Sequence, residues 1–419
     1  MFAMPQIWHK LQNNVDARFH RPTADRLGTH TSLMHPSLGR LRDNVDKVEL
    51  GREDFSATLR FCDRMAGNFR AESDRQEAAT EIQEYFGVDI SPKVVHVGEK
   101  IITDATYLVP VSSGPGVAVL IRVDKNELGL SQASAVEESI GYYLHYLKGN
   151  AFMRNNTVYP TVLMVIVGPY IGVWAAVNGE GPSMDPMTPL LPLLMLPQDI
   201  IIMLSVARAL KAVKVCMKEL SEYYSTVGQI DDEEFEQLKF PYLRKMHCNG
   251  EHLKLKYEGK LSSDRLLYLV SAGDQQYVLK FVQGAYCSIL HKSLASVALA
   301  PKLYHTEMLP GGWTAVLMEL IQNCRPFLAM QESPAVQEKL KEAVTLMHTM
   351  GFVHGDLRSS NILVRGDGVY IIDFDWAGKQ EEARYPPFLN HDDIARDEGA
   401  VGLQLIKKEH DLFMLDRLV

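Results

Sequence analysis

The sequence predicts an α+β protein with more than one domain, in which a helical segment and an α/β unit precede a compact two-lobed domain. Length is the first observation: 419 residues with 46% hydrophobic content can form two or three domains of roughly 100–200 residues. The second is a change of hydrophobic period, because helical spacing gives way to strand-like runs after residue 90. Two acidic motifs near the carboxy terminus, residues 354–361 and 372–375, are the third.

Charge and cysteine usage narrow the functional classes. The formal charge of −9 and the pI near 5.9 provide no general attraction for nucleic acid or an anionic membrane, so nucleic acid is the less favoured partner. The five cysteines lack the paired spacing of zinc sites or disulfide frameworks, which fits a reducing compartment. The first residues show no signal-peptide pattern. We therefore expect an intracellular protein, cytoplasmic or nuclear.

The most apolar run, residues 158–177, raises the question of a membrane helix. Four turn-forming residues interrupt it, and its content of β-branched residues suits two buried strands. We therefore predict a soluble hairpin and no membrane partner. The interrupting residues are Pro160, Gly168, Pro169 and Gly172.

The elements before residue 231 divide into two predicted regions. In residues 1–90, apolar residues recur at helical spacing, which predicts the helical segment. Residues 91–230 combine strands, helices and the hairpin, as in an α/β domain. Its predicted strands are 93–97, 105–109 and 117–123, and its predicted helices are 134–146 and 199–226.

The third predicted domain, residues 231–419, has the element order of a protein-kinase amino-terminal lobe. Three strand-like runs, 253–258, 265–271 and 276–282, precede a helix over 284–299. Lys280 lies where the lysine of the third kinase strand reaches the nucleotide phosphates.

A further strand, residues 314–321, fits the segment that leads into the kinase hinge. Its end places Glu319 and Ile321 where backbone groups bind an adenine ring. The helix predicted over residues 335–350 then delivers the chain to the first acidic motif.

The acidic motifs carry the strongest functional signal. Phosphoryl transfer requires a carboxylate to orient or deprotonate the acceptor, together with ligands for the metal that neutralises the phosphates. Asp356 and Asn361 have the spacing for these roles on one loop, with Arg358 between them as a further catalytic candidate. Asp373 ends the next predicted hairpin and supplies the second metal ligand. The non-functional alternative is that the first motif is a surface turn and that Asp373 is an ordinary strand end. However, both motifs occur at kinase spacing.

The motif variant indicates a small, atypical enzyme. His354-Gly355-Asp356 has glycine where protein kinases usually have arginine, and it resembles the loops of aminoglycoside and choline kinase-like enzymes. The usual arginine pairs with a phosphorylated activation loop, so control of that kind is not expected. Residues 374–419 are too few for the large helical platform that holds peptide substrates. We therefore predict a minimal carboxy-terminal lobe.

Taken together, the sequence resembles fungal, basidiomycete-type kinase-like proteins related to crinkler-type proteins. In that group a PD-(D/E)xK restriction-endonuclease-like unit precedes a compact protein-kinase-like domain, which implies the same order here. The resemblance covers residues 90–419. It rests on phrases at residues 124–129, 168–171, 186–193, 300–303, 354–364 and 373–378.

The nuclease-like part of the resemblance is degenerate. Such nucleases hold metal through an acid and a Glu-x-Lys strand, and Asp104 and Lys125 match that pattern. However, Val123 replaces the glutamate, and Asp124 is expected on the opposite face of the strand. The resemblance therefore implies a scaffold or a nucleic-acid-docking remnant here.

Two departures affect the kinase-like part. Kinases pair the lysine on the third strand with a glutamate on the following helix, but this chain offers Ser288, Ile289 and Leu290 there. We therefore expect Lys280 to lack its usual partner. The loop over residues 259–264 also lacks the repeated glycines that let backbone amides approach phosphates.

The prediction is an ATP- and Mg²⁺-dependent phosphotransferase, serine/threonine-type or atypical, with an unknown protein or small-molecule acceptor. Asp356 is the base, Asn361 and Asp373 hold the metal, and Lys280 binds the phosphates. The first alternative is a pseudokinase that binds nucleotide or a protein partner. The second is a DNA-directed, crinkler-like effector.

Overall fold

The computed structural model describes residues 29–97, 99–111, 114–127, 134–194, 198–248 and 250–419. The chain divides into two compact units, residues 1–243 and 244–419. Residues 1–28 of the predicted helical segment lie outside the described residues, as do Leu128 and Gly129 of the phrase at residues 124–129. Within the described ranges, no helix combines the length and apolar character that crossing a bilayer requires.

The described part of the first unit begins with helices. They are α1 (Thr31–Met34), α2 (Pro36–Lys47), α3 (Arg52–Met65), α4 (Glu72–Ala78) and α5 (Ile82–Phe86), with a 3-10 turn at Ala79–Glu81. Local sequence explains their starts: Pro36 occupies the first turn of α2, where no backbone donor is needed, and Asp54 accepts from the Gly51 N–H at 2.7 Å to cap α3.

A sheet follows the helices in the first unit. Its path runs β3 (Ala105–Val111), β4 (Gly114–Lys125), β5 (Thr161–Val167), β6 (Tyr170–Asn178) and β7 (Pro182–Pro186), with β8 (Leu191–Pro192) also on β6. The β4–β5 pair is parallel and the other pairs are antiparallel. A small hairpin, β1 (Val94–Val97) and β2 (Glu99–Ile102), precedes it.

The predicted hairpin at residues 158–177 is confirmed as β5 and β6. Val167 pairs with Tyr170 across a turn in which Gly168 has a φ of +53°. Every residue of β5 is buried, which explains the membrane-like hydropathy of a strand that is central in the sheet.

Further helices follow in the first unit. They are α6 (Ala135–Gly149), α7 (Ala151–Asn156), α8 (Ile200–Thr226) and α9 (Asp232–Gln237), of which α9 has no buried residue. Asp199 caps α8 by accepting from the Ile202 N–H at 3.2 Å. Along α8, the side chains of Val206, Leu210 and Val213 are buried in the same core as the sheet.

The second unit contains an antiparallel five-stranded sheet. The strand order is β11 (Lys256–Lys260), β12 (Leu267–Ala272), β13 (Gln275–Gln283), β15 (Trp313–Glu319) and β14 (Leu303–Leu309). A separate hairpin, β9 (Lys245–Cys248) and β10 (Glu251–Lys254), precedes it. The strand predicted over residues 253–258 was wrong in extent, because the chain breaks at Leu255, whose N–H donates to the Arg244 carbonyl at 2.8 Å.

The helix predicted over residues 284–299 is shorter in the structure, where α10 spans Ser288–Ser296. Gly284 has a φ of +91° and Ala298 a φ of +59°. Neither angle is compatible with a right-handed helix, so the backbone limits α10 on both sides.

The remaining elements of the second unit surround the acidic motifs. They are β16 (Arg325–Pro326), α11 (Pro334–Thr349), β17 (Phe352–Val353), a 3-10 turn (Ser359–Asn361), β18 (Ile362–Arg365), β19 (Gly368–Ile371), β20 (Gly378–Lys379) and α12 (Lys408–Leu415). Residues 374–419 contain one α-helix, α12. The mixed α+β class is confirmed.

Candidate active site

The loop from Val353 to Asn361 is fixed by a buried acid on the last helix. Asp411, in α12, accepts from the backbone N–H groups of His354 and Gly355, both at 2.8 Å. Its side chain is fully buried. Sequence reasoning missed Asp411, because nothing in a short mixed helix, with Asp411 57 residues beyond His354, indicates contact with this loop.

Glycine is required at position 355 by the backbone and by packing. Its φ is +81°, a conformation that costs residues with a Cβ. A Cβ at this position would lie 2.7 Å from Cδ1 of Ile406, which is fully buried. The departure from His-Arg-Asp therefore has a local structural cause.

The Asp356 carboxylate is held by three donors. Its Oδ2 accepts from Asn361 Nδ2 at 2.7 Å and from Arg358 Nε at 3.1 Å, and its Oδ1 accepts from Arg396 Nη2 at 2.7 Å. The Arg396 side chain is 2% exposed, and its Nη1 also donates to the Gly355 carbonyl. Sequence reasoning missed Arg396, which comes from the irregular segment before α12.

His354 connects this loop to the strand that precedes Asp373. Its Nδ1 accepts from the Asp356 N–H at 3.2 Å, and its Nε2 lies 3.1 Å from the Ile372 carbonyl. His354 is fully buried. The two predicted motifs are therefore joined through one side chain.

Lys280, on β13, contacts two carboxylates. Its Nζ donates to Asp373 Oδ1 and to Asp375 Oδ1. The usual partner is missing as expected, since the helix after the third strand contains no acid. Asp375, two residues beyond Asp373, contributes an acid that the sequence analysis did not assign to Lys280.

The helix α10 packs without an acid towards Lys280. Leu290 and His291 are fully buried, and His291 stacks on Phe374 with ring centroids 4.7 Å apart. His291 also contacts the Tyr286 hydroxyl at 2.7 Å and the Pro301 carbonyl at 2.8 Å. Burial lowers the pKa of His291 to about 4, so it packs as a neutral ring.

The electrostatics of the two acids differ. Burial would raise the pKa of Asp373, but the cations of Lys280 and Arg265 lower it far below its usual range. Burial raises the pKa of Asp375, Lys280 opposes this, and the neighbouring Asp373 charge adds to it. Of the two carboxylates, Asp373 is therefore the one whose ionised form the surroundings favour. Its φ of +72° is uncommon for a non-glycine residue and aims it at a defined position.

Asp373 and Asn361 converge on a position that suits a divalent metal. One guanidinium, that of Arg265, lies 2.5 Å from Asp373 Oδ2 and 3.5 Å from Asn361 Oδ1. A carboxylate and an amide oxygen that face one point are ligands that Mg²⁺ accepts. The residues therefore fit the metal that phosphoryl transfer requires.

The structure places the two hinge candidates at the end of β15. The Glu319 N–H donates to the Lys302 carbonyl at 2.9 Å, and Glu319 Oε2 accepts from the Lys302 N–H at 3.0 Å. Ile321 lies two residues beyond the strand and is buried. Their contact with an adenine ring stays a prediction.

In the first unit, the predicted nuclease-like residues form ion pairs. Lys125 Nζ lies 3.0 Å from Glu72 Oε1 and 2.9 Å from Glu138 Oε2. Asp104 accepts from the Asp124 N–H at 2.9 Å. Among the residues that the structure describes, no group of three or more histidine, cysteine or acidic side chains could hold a metal ion.

Asp124 takes the opposite face of β4 from Lys125. Its carboxylate pairs with Arg122 at 3.0 Å, and both side chains are buried. Val123 lies between them in sequence and is fully buried in the core. The side-chain directions expected from strand alternation are therefore observed.

Part of the second unit is similar to a described domain family. Residues 309–395 match the RIO domain, an atypical kinase domain. The matched segment includes Asp356, Asn361 and Asp373.

Curated relatives match over short stretches. A Methanosarcina mazei protein, named "Probable bifunctional tRNA threonylcarbamoyladenosine biosynthesis protein", is 46% identical over 54 residues, which are 12% of this chain and 10% of the relative. A Methanothermobacter thermautotrophicus protein of the same name is 36% identical over 74 residues, or 17% and 14% of the two chains. This chain spans about a tenth of the length of the first of these relatives.

Solved kinase structures show partial likeness. The Cydia pomonella granulovirus kinase PK-1 aligns with 15% identity and a TM-score of 0.33, over 39% of this chain and 68% of that one. Vaccinia related kinase 3 aligns with 16% identity and a TM-score of 0.31, over 46% and 68%. The RIO domain match, which covers both acidic motifs, is the similarity that supports a kinase-like domain in this chain.

Proposed function

We propose that the protein is an ATP- and Mg²⁺-dependent phosphotransferase of atypical or serine/threonine type. The observation that carries this proposal is the convergence of Lys280, Asp373 and Asn361 around one position, with Asp356 bonded to Asn361. A polyphosphate needs cations and a metal on one side and an acceptor-orienting carboxylate on the other. The contacts of these four residues support such an arrangement.

Each side chain has a distinct proposed role. Asp356 orients the acceptor hydroxyl and takes its proton, and Arg358 lies beside it as a further catalytic candidate. Asn361 and Asp373 hold Mg²⁺, which supplies charge neutralisation to the phosphates when bound. Lys280 binds the phosphates, and the end of β15, Glu319 to Ile321, binds adenine. The acceptor is a protein or a small molecule.

Arg396 is the proposed positioning residue for Asp356. Its buried guanidinium bridges Asp356 Oδ1 and the Gly355 carbonyl, so it fixes the direction of the carboxylate. Protein kinases order the corresponding loop through an arginine that pairs with phosphate. Here the arginine and its partner are both internal, which supports activity without activation-loop phosphorylation.

The test of catalysis separates transfer from binding. Asp356→Asn should reduce phosphate transfer by roughly 10²–10⁴, the usual contribution of a positioned proton acceptor, and leave nucleotide binding almost intact. Radiolabelled ATP with protein and small-molecule acceptors measures transfer, and calorimetry measures binding. Arg365→Gln is the control variant. Arg365 donates to the Tyr370 hydroxyl at 2.8 Å and has no proposed role in the site.

A pseudokinase is the alternative that the nucleotide-binding loop favours. Residues 261–266, between β11 and β12, contain no glycine, so backbone amides cannot approach phosphates as they do in active kinases. The intact Asp356, Asn361 and Asp373 oppose this alternative. Metal-dependent ATP binding with no transfer to any acceptor tested would establish it.

The first unit is proposed to be a non-catalytic scaffold of a fungal, crinkler-like protein. Lys125 is neutralised by Glu72 and Glu138, and Val123 offers no metal ligand. A DNA-directed effector is the remaining alternative. We expect no cleavage of plasmid DNA with Mg²⁺ or Mn²⁺ present. Cleavage that disappears in Lys125→Ala would establish a nuclease, and salt-dependent retention on DNA would favour docking.

The proposed setting is intracellular, cytoplasmic or nuclear. Burial raises the pKa of the Cys62 thiol to about 12 and also raises that of Cys216. Such thiols are unreactive, which fits cysteines that pack as core residues in a reducing compartment. Localisation of the tagged full chain by microscopy tests this.

A further inference from the structure

A single arginine bridges the two proposed metal ligands. Arg265 lies in the loop that joins β11 and β12, two residues before β12 begins. Its Nη1 lies 2.5 Å from Asp373 Oδ2 and its Nη2 lies 3.5 Å from Asn361 Oδ1. None of the predicted site roles includes this residue. Arg265 therefore contacts the atoms that the proposed function assigns to the metal.

The charges around Asp373 make Arg265 the exchangeable cation. The Asp373 side chain is 12% exposed, and its two oxygens are divided between Lys280 and Arg265. The Lys280 side chain is 9% exposed, whereas that of Arg265 is 31% exposed. A cation that is partly in solvent loses less on leaving a carboxylate than one that is buried. Arg265 can therefore give up Asp373 while Lys280 stays.

The composition of the loop around Arg265 bears on how a phosphate could be bound there. The residues between β11 and β12 are Leu261, Ser262, Ser263, Asp264, Arg265 and Leu266. Without glycine the backbone cannot contact a phosphate closely. A guanidinium has five donors in a planar fork that matches phosphate oxygens. A side-chain cation can therefore replace the missing backbone donors at this place in the fold.

We propose that Arg265 is a phosphate-binding residue of the nucleotide site that exchanges its position on Asp373 and Asn361 with the divalent metal. This inference rests on the proposed function, since it takes these two residues as metal ligands. On binding of metal and nucleotide, Arg265 releases the two oxygens and donates to the phosphates instead. The ligand class is a nucleoside di- or triphosphate.

The experiment uses Arg265→Gln in the full chain, with Arg365→Gln as the matched control. Without nucleotide, Mn²⁺ binding followed by electron paramagnetic resonance should tighten by about tenfold, because a competing cation is removed. With saturating Mn²⁺, ADP binding followed by calorimetry should weaken by about tenfold, because a charged hydrogen-bond donor to phosphate is lost. The control should change neither value.

A second variant locates the effect. Arg265→Gln combined with Asp373→Asn should lose the gain in Mn²⁺ affinity, since the exchanged carboxylate is gone. Unchanged or weaker Mn²⁺ binding in Arg265→Gln would overturn the exchange. Tighter Mn²⁺ binding with unaltered ADP binding in saturating Mn²⁺ would overturn the phosphate role.

These outcomes are distinguishable from failure of the proposed function. If Mg²⁺ and ATP do not bind wild type together, the phosphotransferase is refuted. The Mn²⁺ titrations of Arg265→Gln and of its combination with Asp373→Asn still decide whether Arg265 and a metal compete.

Discussion

Replacing Gly355 by alanine tests why the catalytic loop departs from the protein-kinase pattern. At a φ of +81° an L-residue is destabilised by roughly 1–2 kcal/mol. The new Cβ would also lie 2.7 Å from Cδ1 and 3.3 Å from Cγ2 of Ile406, whereas carbon atoms pack favourably at about 3.5–4.0 Å. Ile406 is fully buried among Val353, Tyr385, Leu389 and Ala400, so it cannot move into solvent.

The expected loss of unfolding free energy is about 2–5 kcal/mol, the strain combined with the roughly 1–3 kcal/mol typical of overpacking. Ile406→Val removes Cδ1, the nearest atom, and alone should cost about 0.5–1.5 kcal/mol. The double variant should therefore be more stable than the sum of the single effects by about 1 kcal/mol or more. Gly355→Arg, the residue usual in protein kinases, should be worse than alanine.

Hydrogen exchange in increasing urea is the assay, because peptides from residues 244–419 report on the second unit separately from the first. Peptides of the first unit are the internal control and should show unchanged protection. Strict additivity of Gly355→Ala and Ile406→Val, or a stable Gly355→Arg, would refute the packing explanation.

Two further perturbations test the charged sites. Lys280→Met should abolish Mg²⁺-dependent ATP binding in calorimetry, because Asp373 and Asp375 hold this lysine in place; near-normal binding would contradict that role. Asp104→Asn should remove a pH dependence from the first unit. Burial raises the pKa of Asp104 to about 7, so its stabilising contribution is complete below about pH 4 and is lost as pH rises through about 7. Urea unfolding between pH 4 and pH 8 should therefore flatten in the variant, and an unchanged profile would refute the shift.

Much of the fold followed from hydrophobic period and turn residues. The β5–β6 hairpin was predictable because Gly168 interrupts two runs of β-branched residues, and α8 because Asp199 begins an unbroken helical pattern. The limits of α10 were not predictable, since the left-handed φ of Ala298 has no sequence signature.

The candidate site was predictable where the chemistry resides in short motifs. The spacing of the motifs indicated Asp356, Asn361 and Asp373, and the structure brings these residues together. The supporting residues Arg265, Arg396 and Asp411 are distant in sequence and come from segments without a motif. Only the fold brings them to the loop, so a single sequence contains little signal for them.

The most direct test of the central claim is the Mg²⁺-dependent stabilisation of the protein by ATP, compared between wild type and Asp373→Ala. A ligand that binds only the folded state at 100 times its Kd stabilises that state by about 2.7 kcal/mol. In wild type, ATP with Mg²⁺ should raise the unfolding temperature of the second unit more than ATP with EDTA does. That difference should disappear in Asp373→Ala, because the carboxylate that holds the metal is lost. A metal-dependent shift of equal size in both proteins would contradict the assignment of this site.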